Sequence, residues 1–246
     1  MNLWKEWVRS QRGLMPEPDI IGTMVDAGFT REEASGYVFM WARDPEVLHE
    51  GLRVTLHKGF MLDKECDIVI ELFDRARMVP GKSYTESEDV EDSRHHTLCN
   101  FIDFQTDSHR VFQVLEDRIS RLLDVPACRF QSFTGIHYEE GGGFTQHVDY
   151  FVKDDPKQQV FIEDQGNRVA TVILYLNTVE EGGETYFDHL GFGVSPVKGS
   201  CLVFHYPECE LESVHTARPV IKGEKYIMTK WVREHASKNA VGERVA

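Results

Sequence analysis

The chain has 246 residues, of which 41% are hydrophobic and 11% aromatic, which is enough to build a buried core and excludes a disordered chain. A formal net charge of -14 disfavours nucleic acid and anionic membrane surfaces as partners, because both attract clustered Lys and Arg. The five cysteines form no CxxC pair, and we find neither a signal-peptide pattern nor an apolar run long enough to span a membrane. We therefore expect reduced thiols, no membrane partner and a cytoplasmic location.

Residues 1–50 carry a helical pattern. Apolar residues at helical spacing run to a break at Gly28, and Thr30 with Glu33 forms a capping box for the next helix. We predict a small helical N-terminal region whose role the sequence does not specify. One interpretation is a helical flap packed on the main domain, and the other is a module that resembles the small three-helix ubiquitin-associated modules.

Residues 51 to about 128 alternate between strand and helix patterns. A strand is predicted over 54–60, and a helix is predicted from Asp63 to about Met78, before Pro80. The acidic stretch 86–92 is typical of a solvated loop. A second amphipathic helix follows and ends before Pro126.

Residues 129–233 read as many short strands separated by Gly, Asp and Pro, with no long helical pattern. This order of elements predicts an α+β, mainly β fold. We expect a double-stranded β-helix (jelly roll) core over about 129–233, buttressed by helices from the N-terminal half. The predicted catalytic domain is 51–246, and the polar loops 150–167 and 82–97 are hypothesised to be mobile flaps over a substrate.

A possible metal site follows from His147, Asp149 and His215. Residues i and i+2 of a strand point to the same face, so His147 and Asp149 are presented together, and His215 lies in a later strand. Two imidazoles and one carboxylate leave coordination positions open, which suits non-haem Fe(II). A zinc cluster of His205, Cys209 and His215 is disfavoured, since its spacing fits no common zinc pattern.

Lys225 begins the strand that follows His215, beyond a turn at Gly223. A hairpin of this length returns the chain beside the histidine. A buried ammonium is costly unless it meets an anion. We therefore interpret Lys225 as the partner of a dicarboxylate whose other end chelates iron, rather than as an exposed lysine.

Four segments, 147–149, 168–187, 194–205 and 215–226, together resemble the catalytic domain of Fe(II)- and 2-oxoglutarate-dependent prolyl 4-hydroxylases. The resemblance covers about residues 54–234. It implies hydroxylation of prolyl residues in a protein or peptide, with Fe(II), 2-oxoglutarate and O2 required and ascorbate as a candidate further cofactor. It also implies that His147, Asp149 and His215 are the iron ligands.

Further roles are implied by the same resemblance. Lys225 would bind the distal carboxylate of 2-oxoglutarate, Tyr138 would donate a hydrogen bond to this cosubstrate, and Thr185 would line its pocket. Arg168 and Trp231 would lie around the substrate entrance.

The sequence departs from the family pattern at three places that concern the substrate. Phe144 stands where a tyrosine is common, the segment 93–97 carries two histidines, and Arg233 replaces a histidine found in some relatives. Two alternatives therefore stay open. One is a 2-oxoglutarate dioxygenase acting on a free amino acid, a lysyl residue or a small metabolite. The other is a non-catalytic binding module.

Overall fold

The computed structural model describes residues 3–11, 13–41, 45–75, 79–80, 99–105, 107–153, 155–206 and 210–236. Within them the chain combines α-helices with antiparallel β-sheets. No helix among these residues is long and apolar enough to cross a membrane. The predicted loops 82–97 and the residue Cys209 lie outside the described residues.

The described residues include six α-helices. They are α1 (Leu3–Ser10), α2 (Glu17–Asp26), α3 (Arg31–Trp41), α4 (Asp63–Arg75), α5 (Arg110–Leu123) and α6 (Pro156–Gln165). The predicted capping box at the start of α3 is confirmed, because the Glu33 amide donates to Thr30 Oγ1 at 3.1 Å and the Thr30 amide donates to Glu33 Oε2 at 2.8 Å. The first three helices share one hydrophobic core with α4 and α5, and the Arg121 guanidinium of α5 lies 4.8 Å from the Tyr37 ring of α3.

The strands are β1 (Glu46–His49), β2 (Val54–His57), β3 (Val79–Pro80), β4 (Cys99–Phe104), β5 (Phe133–Tyr138), β6 (Phe144–His147), β7 (Arg168–Tyr175), β8 (Glu181–Gly182), β9 (Thr185–Phe187), β10 (Phe192–Val194), β11 (Cys201–His205), β12 (His215–Ala217), β13 (Val220–Lys222) and β14 (Lys225–Arg233). An eight-stranded sheet has the order β1-β2-β11-β7-β14-β5-β4-β3. A four-stranded sheet has the order β10-β9-β12-β6, and β13 pairs with β8.

The large sheet is covered on both faces, as the alternation of β7 shows. Ala170, Val172 and Leu174 belong to the core shared with the helices. Ile173 and Tyr175 point the other way, into a second core to which the four-stranded sheet contributes Phe187 and other residues. Helices therefore buttress one face of the large sheet, and the other face packs on the small sheet through the second core.

A buried ion pair ties α5 to α4. The Arg118 guanidinium donates to both carboxylate oxygens of Glu65, at 2.7 and 2.8 Å, and to the Phe60 carbonyl at 2.7 Å. Glu65 also accepts from the Leu62 amide at the start of α4, at 2.8 Å. Because both charged groups are buried and hydrogen-bonded, this contact fixes α5 against α4.

The main correction to the sequence analysis concerns residues 150–167, which we expected to be an open loop. They contain the helix α6, with Asp155 accepting from the Lys157 amide as its N-cap. At its other end, the Arg233 guanidinium donates to the carbonyls of Phe161 and Gly166. The helix has no apolar stripe, since Val160 and Phe161 are exposed, so its periodicity did not reveal it.

Smaller differences concern the ends of elements. The predicted strand 54–60 is a strand only over Val54–His57, and the helix from Asp63 is described as far as Arg75. The region of His215 forms two short strands, β12 and β13, after a single turn of 3-10 helix over Glu210–Ser213.

Candidate active site

Strand pairing brings the two histidines of the predicted metal site together. His147 ends β6 and His215 begins β12, and the two residues are direct partners across this antiparallel pair. Their imidazole centroids are 4.2 Å apart. Asp149 follows two residues after His147, where the chain leaves the sheet.

Asp149 completes a compact group of three potential ligands. Its Oδ1 lies 3.5 Å from His147 Nε2, and its Oδ2 lies 3.8 Å from His215 Nε2. One donor atom from each residue lies within 4.8 Å of the other two. Asp149 and His215 are buried, whereas His147 is partly exposed, so the group is reached from the side of His147.

Backbone carbonyls set the orientation of both imidazoles. His147 Nδ1 lies 2.8 Å from the Thr145 carbonyl, and His215 Nδ1 lies 2.9 Å from the Ser213 carbonyl. A carbonyl oxygen only accepts, so each Nδ1 carries a proton and donates it. Each Nε2 is left with its lone pair turned toward Asp149, which is the arrangement found in metal-binding histidines.

The charge states in the site also suit a divalent metal. Burial, followed by the neighbouring His147, lowers the pKa of His215 to about 4, so this imidazole is neutral at pH 7. Burial alone would raise the pKa of the Asp149 carboxyl, but the two histidines and Arg168 outweigh it and hold this pKa well below its usual range. The neutral His215 imidazole and the ionised Asp149 carboxylate, together with the His147 nitrogen, fit a metal that keeps open positions for other ligands.

Lys225, the predicted cosubstrate residue, is also buried. It pairs with Tyr138 across β14 and β5, and its side chain is 1% exposed. Its Nζ lies 5.1 Å from the Tyr138 ring centroid and 6.0 Å from that of Tyr175. Among the described residues, Nζ has no hydrogen-bond partner. Burial lowers the pKa of Lys225 to about 7, and Glu184 opposes this shift.

Tyr175 connects Lys225 to Thr185, the other predicted pocket residue. The Tyr175 hydroxyl donates to Thr185 Oγ1 at 2.8 Å, and both side chains are buried. Gly183 has a φ of 72°, and a Cβ at this position would lie 3.4 Å from Lys225 Cδ. The structure therefore brings Lys225, Tyr138 and Thr185 into one buried cluster, to which Tyr175 also belongs. The sequence predicts a strand at Tyr175 but assigns this residue no role.

Arg168 and Trp231, the predicted substrate residues, stack on each other. The Arg168 guanidinium carbon lies 3.8 Å from the Trp231 ring and 4.7 Å from the Phe151 ring. Arg168 also donates to Gln131 Oε1 at 2.7 Å and to the Asp149 carbonyl at 3.0 Å. Arg168 therefore supports the backbone of the segment that carries Asp149.

Phe144 and Arg233, which depart from the family pattern, and the neighbouring His137 have definite positions as well. Phe144 packs edge-on against His147, with ring centroids 4.5 Å apart. Arg233 is buried against the carbonyls at the end of α6, so it contributes to the structure here. His137 points to the opposite face of the sheet, where it stacks on Tyr226 at 4.2 Å.

Two hydroxyl residues behind Asp149 were not identified from the sequence. Thr171 Oγ1 donates to Asp149 Oδ2 at 2.6 Å, and the Tyr206 hydroxyl contacts the same Thr171 oxygen. Thr171 lies on β7 on the same face as Tyr175. Strand alternation would have placed both residues in the site once the inward face of β7 was known.

Comparison with known proteins agrees with this geometry. Residues 133–233 match the 2OG-Fe(II) oxygenase superfamily. Probable prolyl 4-hydroxylase 6 of Arabidopsis thaliana is 30% identical over 206 residues, covering 73% of this chain and 68% of the relative. This chain belongs to the prolyl 4-hydroxylase family of 2OG-Fe(II) oxygenases. The family predicted from the sequence motifs is thus confirmed.

Further relatives extend the comparison. Probable prolyl 4-hydroxylase 7 of Arabidopsis thaliana is 28% identical over 218 residues, which cover 78% of this chain and 66% of the relative. The chain thus spans about two thirds of the length of these two curated relatives.

Two solved structures share the fold. One is the viral collagen prolyl hydroxylase of Paramecium bursaria Chlorella virus-1 in its 2OG complex, with 25% identity, a TM-score of 0.56, and coverage of 73% of this chain and 94% of that one. The other is a prolyl hydroxylase of Trichoplax adhaerens in complex with a peptide fragment of hypoxia inducible factor. It has 15% identity, a TM-score of 0.54, and coverage of 78% of this chain and 87% of that one.

Proposed function

We propose that this chain catalyses the Fe(II)- and 2-oxoglutarate-dependent hydroxylation of prolyl residues in a protein or peptide, with release of succinate and CO2. The observation that carries this proposal is the buried Lys225 amine, which has no hydrogen-bond partner among the described residues. It lies near Tyr138 and Tyr175, which belong to the same core as the Phe187 and Phe204 rings that contact His215. The names of the relatives support the choice of proline as the target.

The metal would be held by His147, Asp149 and His215. Mixed nitrogen and oxygen ligation without thiolate suits Fe(II) better than a closed structural zinc site. When bound, Fe(II), 2-oxoglutarate and O2 supply the oxidation: one oxygen atom enters a substrate C–H bond, and the other enters the succinate formed with CO2. The protein's own residues orient these groups and exclude water from them.

The cosubstrate would be held at its far end by Lys225. A carboxylate beside Nζ would provide the partner that the buried ammonium lacks and would offset the cost of its burial. Tyr138 and Thr185 would line the same pocket, and the hydrogen bond from Tyr175 fixes the direction of the Thr185 hydroxyl. These groups bind and position the cosubstrate.

The substrate would approach past Arg168 and Trp231. The indole Nε1 of Trp231 is buried without a hydrogen-bond partner among the described residues, so it could donate to a substrate carbonyl. Arg168 holds the indole by stacking on it and is itself held by Gln131. A protein or peptide that contains proline is the proposed partner.

The remaining expectations from the sequence stay predictions of this proposal. The two antiparallel sheets that share one core support a double-stranded β-helix over about 129–233, within a catalytic domain of 51–246 that follows a helical region of 1–50. We also propose ascorbate as a further cofactor and a cytoplasmic location, both of which come from the sequence.

The experiment that tests the function is incubation of the purified protein with Fe(II), 2-oxoglutarate, O2 and a panel of proline-rich peptides. Mass spectrometry should find peptides heavier by one oxygen atom, with the modification on proline, and succinate should form in equal amount. An Asp149→Ala variant, which loses one of the three proposed ligands, should produce neither. A panel of free amino acids and lysine peptides covers the alternative substrates.

The outcomes separate the competing functions. Hydroxylation of lysine peptides or of free amino acids, with proline left unmodified, would show that the chain is a 2-oxoglutarate dioxygenase with a different substrate. A protein that forms no succinate under any of these conditions would be a non-catalytic module.

A further inference from the structure

The Asp149 carboxylate accepts a hydrogen bond from the Thr171 hydroxyl, which is in contact with a second hydroxyl, that of Tyr206. Thr171 is fully buried on β7, and its Oγ1 lies 2.6 Å from Asp149 Oδ2. The Tyr206 hydroxyl, just after the end of β11, contacts the same Thr171 oxygen. The three groups form a continuous row from Tyr206 through Thr171 to the carboxylate.

The direction of the hydrogen bonds in this row follows from the number of protons. An ionised carboxylate only accepts, so the single hydroxyl proton of Thr171 goes to Asp149. Thr171 can then only accept from Tyr206, and the Tyr206 hydroxyl is the donor. A directed chain of this kind, ending on a charge in a buried place, is stronger than its separate bonds.

The two histidines of the site are held differently from Asp149. Both donate from Nδ1 to a backbone carbonyl two residues earlier in the chain, at Thr145 and Ser213. The Thr145 carbonyl belongs to β6, and the Ser213 carbonyl belongs to the turn of 3-10 helix just before β12. Asp149 lies beyond the end of β6, and side chains from β7 and the end of β11 fix its carboxylate.

We infer that Thr171 and Tyr206 are positioning residues that keep Asp149 a one-oxygen ligand. Thr171 occupies Oδ2, so Oδ1 is left for the metal. A carboxylate free to turn could offer both oxygens and would fill a coordination position that the cosubstrate or O2 requires. This inference rests on the proposed function, since it concerns the same metal.

The test measures binding of Co²⁺ alone to the metal-free protein, by calorimetry and by the visible absorption of the bound ion. Thr171→Val should weaken Co²⁺ binding about 10- to 100-fold, which is the usual range for loss of such a supporting contact. Tyr206→Phe should weaken it up to about tenfold. Both variants should change the absorption spectrum, because the coordination of Asp149 changes. Thr171→Ser, which keeps the hydroxyl, should restore binding.

A matched control is Tyr226→Phe. It also removes a phenol that donates to a carboxylate, Glu224, at 2.9 Å, but it lies on the opposite face of the large sheet. Its affinity for Co²⁺ and its spectrum should equal those of the unmodified protein. If Thr171→Val does not fold, as judged by circular dichroism, Tyr206→Phe carries the test.

The possible failures can be told apart. Unchanged Co²⁺ affinity and an unchanged spectrum in both Tyr206→Phe and a folded Thr171→Val would overturn the role of the two hydroxyls and leave the metal site standing. Absence of Co²⁺ binding in the unmodified protein would instead overturn the proposed function on which the inference rests.

Discussion

The burial of Lys225 predicts that the protein takes up a proton at this residue when 2-oxoglutarate binds. In the ligand-free site, burial lowers the pKa of this lysine from its usual 10.5 to about 7. A carboxylate placed beside Nζ favours the charged form and raises the pKa again. Above pH 7 most of the free protein carries a neutral Lys225, so formation of the ion pair requires a proton from solvent.

The size of this effect follows from the pKa. At pH 8, about one tenth of Lys225 is charged in the free protein, and binding should therefore take up about 0.9 proton. At pH 6, the uptake should fall to about 0.1 proton. If only the charged lysine binds the distal carboxylate, the apparent affinity should be about tenfold weaker at pH 8 than at pH 6.

The same shift affects the stability of the ligand-free protein. The folded pKa of Lys225 is lower than the unfolded one, so between about pH 7 and pH 10.5 the unfolded chain binds more protons. The contribution of this residue to stability therefore increases with pH through that window and is lowest below pH 7. Saturating 2-oxoglutarate should remove this dependence.

Calorimetry measures the proton uptake directly. Mn²⁺-loaded protein is titrated with 2-oxoglutarate at pH 8 in HEPES and in Tris, which differ in ionisation enthalpy, and the slope of the binding enthalpy against this quantity is the number of protons taken up. A Lys225→Met variant is the control and should give a slope near zero with weaker binding. A slope near zero in the unmodified protein, or an equal slope in the variant, would refute the reasoning.

Three further outcomes are expected from single contacts. Tyr175→Phe removes the hydrogen bond to Thr185 and should weaken 2-oxoglutarate binding about 2- to 10-fold, while Co²⁺ affinity stays constant. An unchanged affinity for 2-oxoglutarate would contradict the role of Thr185 in binding this cosubstrate. Glu65→Ala leaves the buried Arg118 without its carboxylate and should cost about 3–5 kcal/mol in chemical denaturation, and a loss below about 1 kcal/mol would contradict this account. Arg233→Ala should speed amide hydrogen exchange in α6 specifically, and exchange equal to that of the unmodified protein would show that the helix does not depend on this anchor.

The sequence alone determined the features that depend on local order along the chain. The spacing of two residues between His147 and Asp149 predicted that these side chains lie together, and they do, although Asp149 lies just beyond the end of β6. The capping box of Thr30 and Glu33 is equally local. These patterns appear in the sequence because the residues involved are near neighbours in the chain. The hairpin predicted between His215 and Lys225 is wrong, because β12 belongs to the four-stranded sheet and β14 to the eight-stranded sheet.

Only the tertiary structure decided the features that depend on contacts between distant segments. The helix α6 lacks an apolar stripe, and its last carbonyls are held by Arg233, which lies on the final strand. Tyr175, Thr171 and Tyr206 gain their roles from partners that are 10, 22 and 35 residues away in the chain. In the sequence these side chains look like ordinary strand residues, because their hydrogen bonds form only after the strands have paired. The buried charge of Asp149 then needs a hydrogen-bond donor, and Thr171 provides it.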